Sequence, residues 1–183
     1  MTLSDTLAPT YRQMLGALSA WLDKAAGGDD PDAVLRARLA SDMFPLATQV
    51  RFACVQALEG MYRLRGEPLP ALVDVLLDEG RNAADRPGTI AEAKARIAEV
   101  IAMVDAAGMP APDPATPVAH ALPQGIVFDL TAEQYVRDWA LPQFYFHVVT
   151  AYAILRAGGV PLGKAEYVAH MFAYLRPDTA PAA

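Results

Sequence analysis

Three histidines and one cysteine are the side chains in this 183-residue chain from which metal or nucleophilic chemistry is most readily built. His147 lies in the run Gln143-Phe144-Tyr145-Phe146-His147-Val148-Val149-Thr150-Ala151-Tyr152. Residues three or four apart share a helical face, so Gln143, His147 and Thr150 point the same way, with the Tyr152 hydroxyl nearby. An imidazole there can serve as a metal ligand or an acid/base group near neutral pH. It can equally be a core histidine, which still needs partners for its ring nitrogens. Gln49 or Asp42, on the second main helix, would supply them. Asp42 and Gln49 are seven residues apart, two helical turns, and so share a face of one helix. Asp42 has the plainer alternative of a first-turn carboxylate facing the helix dipole. Thr150 and Tyr152 either offer hydroxyls to a ligand or are core residues with the polar tip at the surface. The candidate pocket is therefore His147, Gln49, Asp42, Gln143, Thr150 and Tyr152.

The rest of the inventory excludes more than it offers. An activated thiol needs an exposed, electropositive setting, and the apolar neighbours of Cys54 predict a buried, inert one. A lone cysteine builds neither a disulfide framework nor a cysteine zinc site. No Gly-rich phosphate loop and no Cys-x-x-Cys pair occurs. Net charge is −6 with 15 Lys+Arg, and the nearest approach to a basic cluster, Arg51, Arg63 and Arg65, is interrupted by apolar residues. That excludes a nucleic-acid surface, which needs clustered positive charge. The apolar stretch from Trp139 to Leu155 is broken by Pro142, Gln143, His147 and Thr150, so it reads as a buried helix and not a membrane span. Met1 to Asp5 lacks the basic start and apolar run of a signal peptide, and a cytoplasmic location is expected. Hydrophobic residues make up 54% of the chain, enough for a large core or for an exposed patch that pairs with a second copy. A homodimer is the expectation.

The elements that must hold these residues read as helices. Leu7, Tyr11, Met14, Leu15, Leu18, Trp21 and Leu22 recur at helical spacing, with Pro9 in the first turn and Gly27-Gly28-Asp29-Asp30-Pro31 as the stop. A short helical turn follows at Asp32 to Arg36. Ser41 and Asp42 are placed to cap a second helix with Pro45 in its first turn, running through Leu46, Val50, Ala53, Ala57, Leu58 and Met61 and ending before Gly66. Leu69 to Leu77 reads as helix or as irregular chain. Thr89 and Glu92 form a capping box ahead of Ile90, Lys94, Ile97, Ile101 and Val104, with Lys94 snorkelling from the stripe and Gly108 and Pro110 as the stop.

Two extended runs, Val118 to Leu122 and Ile126 to Leu130, flank Pro123-Gln124-Gly125 and predict a β-hairpin that must lie against the helices. Thr131 and Gln134 make a second capping box, after which Tyr135, Val136 and Trp139 face inward. Pro142 must kink or restart the last main helix, whose continuation to Arg156 is apolar nearly all round, as in a central helix with neighbours on every side. Gly158-Gly159 and Pro161 end it. A short helix near Lys164 to Phe172 and a disordered tail over 177–183 complete the chain. The reading is all-α: a single four-helix-bundle domain over 1–176, with crossover connections and a short hairpin before the last main helix.

Several stretches carry a resemblance. Phe146 to Arg156 with Gly158 to Gly163 and Lys164, Ala40-Ser41-Asp42-Met43-Phe44-Pro45-Leu46 with Gln49 and Val50, and Leu141-Pro142 with Phe144-Tyr145-Phe146 together resemble a bacterial family of unknown function. The likeness runs from about Leu7 to Lys164. That family is similar in fold to the DinB/YfiT-like superfamily. The resemblance implies a four-helix bundle with a pocket at one end. In active members it implies a divalent metal on three histidines, one from the second helix and a His-x-x-x-His pair from the last, used for thiol-dependent transfer or hydrolysis. Here His147 has Gln143 and Ala151 at the partner positions, and the second helix offers Thr48 and Gln49. His120 and His170 lie on the hairpin and near the C-terminus. The expectation is a DinB-like bundle without the metal-dependent activity and with no metal cofactor, binding a small molecule near His147. The alternatives are a metal- or thiol-dependent transferase or hydrolase, and a non-enzymatic dimeric interaction module.

Overall fold

A computed structural model of the chain describes residues 3–27, 30–107, 112–123, 125–176 and 179. Helix α1 spans Leu3–Ala25 and buries its whole apolar stripe from Leu7 to Leu22. It starts earlier than Pro9 suggests. Pro9 is inside the helix, on an exposed face, so the missing N–H costs one bond near the start and crowds nothing in the core. A 3-10 turn, Pro31–Arg36, follows and seats Leu35 in the core. Helix α2 is Leu46–Leu64, and its N-cap is Pro45. This corrects the expectation for Asp42, which lies in an exposed turn ahead of the helix and does not share a helical face with Gln49.

The undecided stretch after Gly66 is helical: α3 covers Ala71–Arg81. Helix α4, Ile90–Ala106, opens on the complete Thr89–Glu92 capping box, and Asp32 Oδ1 accepts a further hydrogen bond from Ile90 N at 2.7 Å. Lys94 leaves the apolar stripe to pair with Asp23 of α1. The stops placed at Gly108 and Pro110, and most of the segment 177–183, lie outside the described residues.

Strands β1, Pro117–Ala121, and β2, Val127–Thr131, form the antiparallel hairpin, with Val118 opposite Leu130 and His120 opposite Phe128. Alternation turns Val118 and His120 inward. Thr131 and Gln134 then cap the short helix α5, Ala132–Gln134. The chain widens into a π turn over Tyr135–Ala140, where Leu141 N reaches back five residues to Val136 O, and continues as α6, Leu141–Ala157. Pro142 explains the widening: it cannot donate to the preceding turn, and the extra residue per turn relieves its ring from the carbonyl below. A final turn of helix, α7, covers Lys164–Tyr167, and a 3-10 turn covers Ala169–Tyr174.

The four long helices α1, α2, α4 and α6 form the bundle. Helix α2 packs on α6, α3 and α4, and α1 packs on α4, α6 and α2. Helix α6 is not enclosed on every side, contrary to its composition. Phe144, Val148, Ala151, Ile154 and Leu155 are buried, yet Phe146 is 58% exposed and Val149 is exposed beside it. Its near-continuous apolar sequence therefore covers one buried face and one open one.

Candidate functional site

The facing sides of α2 and α6 bring His147 against Gln49. His147 Nδ1 lies 2.9 Å from Gln49 Oε1, and Gln49 Nε2 donates to the Phe44 carbonyl at 3.3 Å. The second bond sets the amide: with its nitrogen committed to a carbonyl, its oxygen faces the ring. The imidazole therefore carries its proton on Nδ1 and keeps a lone pair on Nε2. That nitrogen has no hydrogen bond to the described residues and is not sealed from solvent. The ring is edge-on to Phe52 and Phe146, at 5.4 and 5.3 Å between centroids, and Phe44 packs on Phe52 at 5.8 Å. At 9% exposure, burial pulls the His147 pKa down to about 4, so the ring is neutral at pH 7.

The other expected residues divide. Gln143 is half-buried one turn before His147 on α6. Thr150 is buried and donates to Phe146 O at 2.6 Å, so its hydroxyl is spent within the helix. Tyr152 turns away, with its ring edge-on to Trp21 and to Tyr167. Asp42 is exposed and makes no side-chain hydrogen bond among the described residues. The structure thus brings together His147 and Gln49, with Gln143 one turn away, and leaves Asp42 and Tyr152 outside.

This donor set does not fit the divalent metal that the resemblance implies. Divalent transition metals take imidazole, thiolate or carboxylate donors. The three positions here carry one imidazole and two amides, and the Gln49 oxygen already accepts from His147. Among the described residues no three His, Cys, Asp or Glu side chains group as a metal site. Thiol chemistry by the chain itself is equally unsupported: Cys54 is buried, and burial pushes its pKa up to about 12 against the downward pull of Arg51.

Two buried polar groups were not singled out by sequence reasoning. His120 is 2% exposed between Tyr135 and Trp139, and among the described residues neither ring nitrogen has a partner. Burial and the nearby Arg63 charge bring its pKa down to about 4. Its inward direction depends on hairpin register, which composition does not specify. Arg51 is 4% exposed on α2. The available signal was its place in the stripe, with Ala47 one turn before it and Cys54, Val55 and Leu58 after it.

The helical bundle with long connections and a hairpin before its last main helix has a DinB-like fold, shared with a solved DinB family member. The chain belongs to the family described as domain of unknown function DUF1993, whose model matches residues 3–168. Among solved structures it is similar to a DinB family member protein from Shewanella denitrificans, with 32% identity over 98% of this chain and 96% of that one and a TM-score of 0.73. None of the curated proteins matches it.

Proposed function

We propose that this protein is a non-enzymatic DinB-like bundle that binds a small, flat, largely apolar molecule at the His147–Gln49 pair. The observation that carries the reading is the commitment of Gln49 Oε1 to His147 Nδ1. That bond locks the imidazole in one tautomer and uses the Gln49 oxygen, which is then not offered to an ion as a ligand. What remains is a neutral acceptor, Nε2, on a ring flanked by Phe52 and Phe146, with Phe44 packed on Phe52. A ligand that donates one hydrogen bond and covers aromatic surface suits such a site.

Untagged protein purified without chelator is expected to carry no stoichiometric divalent metal. Its imidazole 15N spectrum is expected to show the Nδ1–H tautomer, unmoved by one equivalent of Zn2+. Indole and phenol serve as ligand probes, and any thermal stabilisation they give is expected to vanish in His147→Phe. A stoichiometric ion lost in His147→Ala would overturn the reading.

A second copy of the chain suits the same surface. Phe44 is 53% exposed, and on α6 the exposed Phe146, edge-on to the His147 ring, has the exposed Val149 three residues further along the same face. Clustered exposed aromatics of this kind mark association surfaces. Sedimentation equilibrium is expected to give a dimer, and Phe146→Glu a monomer. A wild-type monomer at every concentration removes the dimer. No described helix is long and apolar enough to cross a membrane, and we place the protein's work in the cytoplasm.

A further inference from the structure

On a different face from His147, a cavity of about 320 Å³ opens between α2, α3 and the start of α4. Its walls carry Arg51 from α2, Glu79 from α3, Arg86 and Gly88 from the connection, and Glu92 and Arg96 from α4. Three guanidinium groups and two carboxylates face one small space, and the carboxylates are already engaged. Glu79 accepts from Arg96 Nη2 at 2.6 Å and from Arg51 Nε at 3.3 Å. Glu92 Oε2 closes the capping box, accepting from Thr89 N at 2.8 Å.

The cationic groups are not so well matched. Among the described residues Arg51 Nη1 is buried without a partner and Nη2 makes no hydrogen bond. Arg86 forms no ion pair among the described residues. Gly88, at φ +71°, leaves the approach to Arg51 Nη2 open: a Cβ there would lie 3.2 Å from that nitrogen. A guanidinium removed from water with four of its five N–H donors unused among the described residues is costly, and an oxyanion is the partner that uses its planar fork best.

We infer that this cavity binds a small metabolite through a carboxylate or phosphate group, held by Arg51 and Arg86. Arg96 and Glu79 position the Arg51 fork through their shared ion pair. The cavity has room for more than the oxyanion. The engaged carboxylates in its wall limit the negative charge it accepts, so an anion of low charge fits better than a polyphosphate.

Calorimetric titration of the full chain at low ionic strength with inorganic phosphate and, separately, with succinate tests the site. Saturable one-site binding of at least one probe is expected, and its identity tells which oxyanion the site takes. Arg86→Gln alters an exposed side chain and leaves the fold intact. Loss of its charge-assisted hydrogen bond is expected to weaken the probe tenfold or more. Arg137→Gln, on the π turn, and His147→Ala are expected to leave the affinity unchanged, which separates this site from the one at His147. Absence of saturable binding by both probes at concentrations on the order of 10 mM, or binding that Arg86→Gln leaves unaltered, overturns the inference.

Discussion

Acidification from pH 7 to pH 4 is expected to remove on the order of 4–6 kcal/mol of folding stability, with His147 and His120 supplying most of the loss. Both rings are buried and neutral, and in both the folded pKa is brought down to about 4, chiefly by burial. In the unfolded chain each titrates near the ordinary histidine value of about 6.5. Between those values the unfolded chain binds more protons than the folded one. Stability is therefore complete above about pH 6.5, declines as the pH falls, and has lost the histidine contribution by about pH 4. Urea unfolding at a series of pH values measures it. His120→Phe isolates one ring: its nitrogens make no hydrogen bond, and it packs at 4.3 Å from the Trp139 ring, so a phenyl group keeps the packing. That variant is expected to lose about half the pH dependence and no stability at pH 7. An unchanged pH slope would show that His120 does not titrate with folding.

Gly60→Ala is expected to destabilise the fold by a net 1–3 kcal/mol or so, even though alanine is the better helix former by about 1 kcal/mol. Gly60 lies inside α2, where a Cβ would overlap the Tyr11 hydroxyl and lie 3.0 Å from Tyr11 Cζ. The Tyr11 ring cannot yield: it is fully buried and edge-on to Phe144 at 4.7 Å. Overpacking against a rigid ring outweighs the propensity gain. The same contact makes Tyr11→Phe informative, because the hydroxyl is buried without a partner. Its removal is expected to stabilise by about 1 kcal/mol and to relieve part of the Gly60→Ala penalty. Chemical denaturation of the two single variants and the double variant gives the coupling energy. Additive effects would mean that the ring and the α2 backbone do not press on each other.

Much of the fold was legible because its signals are local. Thr89 with Glu92 and Thr131 with Gln134 close capping boxes where the spacing places them, and Pro142 forces a break where its chemistry requires one. The hairpin falls within a residue or so of its expected strands. The failures involve competition with distant chain. Ser41 and Asp42 are good capping residues, but they lie in a turn, and the extended Pro45 delays the helix to Leu46. Leu69 to Leu77 is too short to declare itself, and packing on α2 makes it helical. The apolar character of α6 cannot tell a buried face from an exposed one.

At the candidate site the need of His147 for a partner was legible and narrowed to Gln49 or Asp42, because a polar group in an apolar stripe must be satisfied; the structure pairs it with Gln49. The separation of Tyr152 was not, since its direction is set by Trp21 and Tyr167, which lie far away in sequence. The significance of Arg51 was hidden for the same reason: Glu79, Arg86 and Arg96 come from three later segments.

The hairpin is fastened to the bundle by a ring that gains no hydrogen bond from being there. Trp139 Nε1 beneath it is likewise unpaired, as is Arg63 Nε nearby. Each of these atoms would be better solvated if β1 lifted, so peeling the hairpin away recovers hydration that partly offsets the lost apolar contact. At this seam apolar contact, from Val118 and the His120 ring, does the holding, with no hydrogen bond from the buried imidazole among the described residues to add to it.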